Sequence, residues 1–150
     1  MGWQAELAAW GVPADEALIA TTEGWGHEDG SAGMARLLDS GALPDAVLAY
    51  NDLIAIGAMR VLGERGLRVP EDVAVVGFDD ITESRYGAVS LTTVAPDKQA
   101  IARLAVESVT EQLKGAQGDG PPLPPREVQP GFQLVVREST VQRAAAAGST

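Results

Sequence analysis

The stretch from Leu43 to Val94, LPDAVLAYNDLIAIGAMRVLGERGLRVPEDVAVVGFDDITESRYGAVSLTTV, constrains the fold more than any other part of the chain. Twice in it an apolar run of strand length stops at a small polar pair, Asn51-Asp52 after AVLAY and Asp79-Asp80 after VAVVGF. Between the runs lies a helix-length segment, Leu53 to Leu67. Strands that are continuously apolar are buried on both faces, and a helical crossover between two of them makes them parallel. The unit is therefore β-α-β and the fold class α/β, with a mainly parallel sheet between helical layers. Both polar pairs fall at the carboxyl ends of neighbouring strands, the edge at which open α/β sheets take small ligands.

The flanking segments extend this pattern. Trp3, Leu7 and Trp10 recur on one helical face, and Gly11-Val12-Pro13 ends that helix. Ala17 to Thr22 (ALIATT) has the composition of a short buried strand, with the loop Glu23 to His27 at its carboxyl end. A helix from Glu28 to Asp39 follows, capped by Gly41, and its Gly30 and Gly33 imply close packing against the sheet. The helix after Asn51-Asp52 is apolar on most sides, more than one sheet face needs, which fits either a subunit interface or a well-covered internal helix. Ile81 to Gly87 is a turn of helix and Leu91 to Val94 a further strand. Asp97 caps an amphipathic helix from Lys98 to Lys114, whose seam is Ile101, Leu104, Ala105, Val109 and Leu113. Ala116 to Pro125 is a loop by composition, Phe132 to Arg137 a strand, and the alanine-rich tail from Val141 to Thr150 frays.

Bulk properties exclude several classes of function. The 150 residues suffice for one domain with a real core, and a formal charge of -10 repels a phosphate backbone or an anionic membrane. The absence of cysteine rules out disulfides and thiolate metal sites and fits a reducing compartment. With no basic-then-apolar leader and no apolar run near the ~20 residues of a membrane span, the expected location is cytoplasmic. No nucleophilic triad, phosphate loop or zinc spacing occurs, so no enzyme activity, cofactor or metal is expected.

The polar pairs admit three uses. A receiver-type magnesium or phosphoacceptor site would need a further carboxylate and a lysine, with Asp52 and Lys98 the only candidates. A structural use, capping the helix or turn that comes next in the chain, suits Asp52 and Asp80. Ligand recognition suits Asp79, whose carboxylate can accept from adjacent hydroxyls, and Asn51, whose amide both donates and accepts. Trp25, at the same sheet edge, can lie flat on a sugar or base, or serve as a lid over the core. His27 reads as a loop residue.

Those residues carry a family resemblance. PDAVLAYNDLIAIGAMRVLGERGLRVPEDVAVVGFDD, the LTTV after it and the closing LVVREST resemble the effector-binding domain of LacI/GalR transcriptional repressors, over essentially Gly2 to Thr140. The resemblance implies a flavodoxin-like, periplasmic-binding-protein-like fold of two subdomains around a cleft, a homodimer, and operator binding through a separate helix-turn-helix headpiece. It matches Asn51, Asp79 and Trp25 to positions that contact the effector, a sugar or similar small polar molecule. Pro96 departs from the glutamine of some sugar-binding members. The resemblance further implies that residues 1–140 are mostly the C-terminal subdomain, lacking the strand before the first helix, the effector-binding arginine and the headpiece, and that the helix from Lys98 to Lys114 belongs with the other subdomain. The alternative function is a sugar-binding component of a transport system.

Overall fold

The computed structural model describes residues 2–116, 124 and 126–141. Its elements are α1 (Gly2–Ala9), α2 (His27–Asp39), β1 (Ala46–Leu48), α3 (Asp52–Glu64), β2 (Ala74–Phe78), β3 (Thr92–Pro96), α4 (Lys98–Ala116) and β4 (Phe132–Val135), with 3-10 turns at Glu16–Leu18 and Thr82–Arg85. Among the described residues the sheet order is β1-β2-β3-β4. The first three strands are parallel, with Val47 opposite Val75 and Gly77 opposite Thr93, and β4 returns antiparallel, with Leu134 opposite Val94. The α/β class and the parallel β1-α3-β2 unit, which includes the edge strand of the described sheet, match the sequence. Nearly all of the proposed loop from Ala116 to Pro125 and of the tail from Val141 to Thr150 lies outside the described residues.

The core lies between one sheet face and the pair α2 and α3, and is built from Met34, Leu37, Ala55, Ala58, Leu62, Val73, Val75 and Leu91. The two helices touch backbone to backbone. A Cβ placed on Gly30 would fall inside van der Waals contact of the Ile54 carbonyl oxygen, and one on Gly57 inside that of the His27 carbonyl oxygen. Gly30 thus serves the helix–helix crossing and not, as expected, contact with the sheet. Gly33 does face the segment before the loop, against Thr22 and Ala20. Ser31 Oγ seals the crossing by donating to the Gly57 carbonyl at 3.0 Å. Gly41 and Gly66 take φ of +87° and +76° just after α2 and α3, as helix-ending glycines do.

Two expectations fail, each because a partner is required that local pattern does not reveal. Ala17 to Thr22 is not a buried strand. It begins as the 3-10 turn, leaves it at the extended Ile19, and pairs with no strand among the described residues. A strand exists only through its neighbour, and β1 lies across a cavity from this segment. Second, β1 and β2 are apolar on both faces but covered on one, so that Leu48 and Phe78 are exposed. The first helix forms where expected, as α1, but buries none of its residues, and Trp10 just after it is exposed, with its indole Nε1 donating to Glu6 at 3.0 Å. Likewise α4 forms as expected, with Asp97 Oδ1 accepting from Ala100 N at 2.9 Å, yet none of its described residues is buried.

Candidate functional site

The carboxyl ends of β1 and β2 meet the bend Glu23–Gly26 at one end of a cavity of about 880 Å³. Trp25, Asn51 and Asp79 all line it, so the structure brings the three sequence-predicted residues together. Each arrives for a local reason. Asn51 is the N-cap of α3, its Oδ1 accepting from Ile54 N at 2.8 Å. Its Nδ2 donates to the Trp25 carbonyl at 3.0 Å, tying the bend to the start of α3. One donor and one lone pair of the amide are thus engaged and one of each remains.

Asp79 stands at a backbone position of φ +110°, followed by Asp80 at +48°. Consecutive non-glycine residues in this region cost of order 1–3 kcal/mol each and persist only where surrounding bonds enforce them. Here Asp79 N donates to the Val94 carbonyl at 2.9 Å and Ile81 N to Asp52 Oδ2 at 3.0 Å. Asp79 lines the cavity, and its carboxylate accepts no hydrogen bond from any described residue.

Trp25 is 60% exposed and meets Tyr50 edge to face, ring centroids 4.6 Å apart and planes at 75°. Tyr50, 70% exposed, and Phe78 complete an aromatic wall beside Asp79. Sequence reasoning missed both, counting them with the strand cores. The signal available was position, because the last residue of each strand, just before its polar pair, reaches the same edge as the pair.

The other two aspartates are used inside the protein. Asp52 does not cap α3, since Asn51 does. Fully buried, it accepts from Ile81 N, from Ser84 Oγ at 2.6 Å and from Thr93 Oγ1 at 2.6 Å, joining α3, the strained turn and β3. Asp80 does not cap the turn after it either. Its carboxylate pairs with Arg137, beyond β4, and with Arg85 at 2.8 Å. A receiver-type site is absent: Asp52 is satisfied by neutral donors, the Lys98 Nζ reaches only the Asp80 carbonyl, and no acidic or imidazole cluster able to hold a metal occurs among the described residues.

The Asp80 pair sets a pH dependence. Burial alone would raise its carboxyl, but the guanidiniums of Arg137 and Arg85 outweigh burial and hold it below the ordinary carboxylate value. A value lower in the folded than in the unfolded chain stabilises the fold above about pH 4, and this contribution is lost as pH falls through the folded value. Urea midpoints followed from pH 6 downward should therefore fall less steeply for Asp80→Asn than for the parent; parallel acid limbs would show that the pair carries no such linkage.

Comparisons with known proteins agree with this fold. The model of the periplasmic binding protein-like domain matches residues 1–140. A LacI-family transcriptional regulator from Sanguibacter keddieii superposes with a TM-score of 0.85 at 46% identity, covering 92% of this chain and 50% of that one. The transcriptional regulator CelR, solved with cellobiose, superposes with a TM-score of 0.78 at 33% identity, covering 92% of this chain and 40% of that one. The transcriptional repressor PurR of Haemophilus influenzae is 45% identical over 86 residues, 57% of this chain and 26% of the repressor. The chain thus spans half or less of the length of the relatives it matches, and these relatives are transcriptional regulators, not enzymes or transport components. With its parallel sheet, its strand-end site and these likenesses, the chain belongs to the periplasmic binding protein-like family, as an effector-binding domain of the LacI/GalR repressor type.

Proposed function

We propose that this chain is the ligand-sensing part of a LacI/GalR-type transcriptional regulator and binds a sugar or similar small polar effector through Trp25, Asn51 and Asp79. The observation that carries this reading is the open carboxylate of Asp79, held at a strained turn beside the exposed Trp25–Tyr50 corner. A carboxylate accepts from two neighbouring hydroxyls, and an aromatic face covers the apolar side of a sugar ring. Cellobiose, bound by the similar CelR, has both features.

In the intact regulator the effector would favour one arrangement of two subdomains over another and so change operator affinity, a coupling between two sites. Operator DNA is contacted by a separate headpiece, since this chain's charge of -10 disfavours it. The apolar seam of α4, with Ile101, Val109 and Leu113 exposed, faces the second subdomain, and α3 contributes to a homodimer contact. Among the described residues no helix is long and apolar enough to cross a membrane.

Isothermal titration of cellobiose, ribose and a nucleoside panel against the complete regulator tests the assignment. Asp79→Ala should weaken the responding ligand by about 2 kcal/mol, roughly 30-fold, as expected for losing hydrogen bonds to a charged group. Unchanged affinity in that variant would sink the site.

A further inference from the structure

Asp79 takes its place at the cavity wall from the backbone, since no described residue holds its carboxylate. That backbone is held unevenly. Before the turn Asp79 N donates to the Val94 carbonyl at 2.9 Å, and after it Ile81 N donates to Asp52 Oδ2 at 3.0 Å. In the middle, Asp80 N meets Thr93 Oγ1 only at 3.4 Å, and the Asp80 carbonyl meets Lys98 Nζ only at 3.5 Å, both at the weak limit of a hydrogen bond. Yet Asp79 and Asp80 keep φ of +110° and +48°, which rotation of the peptide between them would relieve. The Asp80 side chain is what remains to fix the middle of the turn.

Two guanidiniums hold that carboxylate, and they are not equal. Arg85 lies five residues on and its side chain is 56% exposed, so water screens its pairing and side-chain entropy opposes it. The Arg137 and Asp80 side chains are 14% and 15% exposed, where an ion pair is screened less and a lost partner leaves a charge uncompensated. Arg137 is itself tied to the start of β3. Its backbone N donates to Thr92 Oγ1 at 2.7 Å, its Nη1 donates to the Leu91 carbonyl at 2.8 Å, and its Nη2 donates to Asp80 Oδ1. We propose that Arg137 is a positioning residue of the candidate site: through Asp80 it clamps the turn to β3 and fixes the backbone that carries Asp79. The role rests on the effector reading of Asp79. A lysine would supply the charge, but not the fork that spans the Leu91 carbonyl and Asp80 at once.

Amide hydrogen exchange on the 150-residue chain reads the turn directly. Arg137→Gln should speed exchange at Asp79 and Ile81 by about tenfold or more, while Ala49 and Ala74, whose amides donate to Val76 and Asp45, change by less than about twofold. Arg85→Gln should stay within about twofold at all of these amides, and Arg137→Lys should fall between the parent and Arg137→Gln. Asp80→Asn should loosen the same two turn amides, and combining it with Arg137→Gln should add less than about twofold, since either change removes the same contact. The clamp is overturned by unchanged exchange at Asp79 and Ile81, by equal acceleration of the Ala49 and Ala74 amides, by equal effects of Arg85→Gln and Arg137→Gln, or by full additivity with Asp80→Asn. Titration of the complete regulator with cellobiose, ribose and the nucleoside panel separates this from the effector reading. Affinity for the responding ligand should fall about tenfold in Arg137→Gln. Faster turn exchange with every affinity unchanged would support the clamp and overturn the effector role of Asp79.

Discussion

Asp52→Ala is expected to lower the unfolding free energy by about 4 kcal/mol, the largest single-site effect outside the apolar core. The carboxylate is fully buried and receives three donors, Ile81 N and Ser84 Oγ from the 3-10 turn and its cap and Thr93 Oγ1 from β3. Truncation leaves these donors without a partner and without water, at about 1–3 kcal/mol apiece, reduced where a hydroxyl can turn elsewhere. Thr93 can turn, since its Oγ1 already lies 3.5 Å from the Val94 carbonyl.

Asp52→Asn separates geometry from charge. Its amide nitrogen can face Thr93, whose hydroxyl then accepts, while the remaining oxygen keeps Ile81 and Ser84. A loss of about 1.5 kcal/mol is expected, from weaker hydrogen bonds than an ionised acceptor makes. Urea unfolding at neutral pH is the measurement, with the midpoint moving and the slope constant. Equal effects of the two substitutions would show that the network does not hold the turn. Because Ile81 comes directly after the Asp79–Asp80 turn, the alanine variant should also disturb the site, whereas the asparagine variant should leave it in place.

The second large effect concerns the helix crossing. Gly57→Ala places a methyl against the His27 carbonyl and the Ser31 amide, and both belong to backbone that cannot swing aside as a side chain does. Alanine is worth up to about 1 kcal/mol more than glycine within a helix, so propensity opposes the clash. Forcing α2 from α3 disrupts contacts of Met34, Leu37, Ala55 and Ala58, and a net loss of about 2–3 kcal/mol is expected. Gly63→Ala is the matched control on the same helix. Nothing lies within 4 Å of its new methyl, and it should gain about 0.5–1 kcal/mol. A scan of thermal unfolding should move the two variants in opposite directions; movement in the same direction would mean that the crossing is looser than it looks.

These effects bear on how much of the site was legible in the residues alone. Asn51 and Asp79 stand out because strand direction follows from a helical crossover, and strand direction says which end carries the site. Trp25 follows from the same logic, although the segment before it never becomes a strand. Tyr50 and Phe78 are hidden by their own hydrophobicity, which resembles that of core residues until the sheet shows which strand ends are uncovered. Gly30 can be seen as a packing residue, but its partner is a helix and not the sheet, since a missing side chain does not say what fills its place.

The sequence by itself determined the order of elements, the parallel β-α-β unit and the placing of both polar pairs at one sheet edge, because hydrophobic period and chain direction are local properties. Only the tertiary structure divided the work among the four polar residues. Asn51 caps a helix and holds the Trp25 bend, Asp52 turns inward to donors 29 to 41 residues away, Asp80 is neutralised by Arg137 at a distance of 57, and Asp79 alone is left open. A carboxylate's use depends on which donors the fold brings within about 3 Å, and those donors lie in other parts of the chain. For the same reason Ala17 to Thr22 carries the hydrophobicity of a strand while the described fold offers it no strand to pair with.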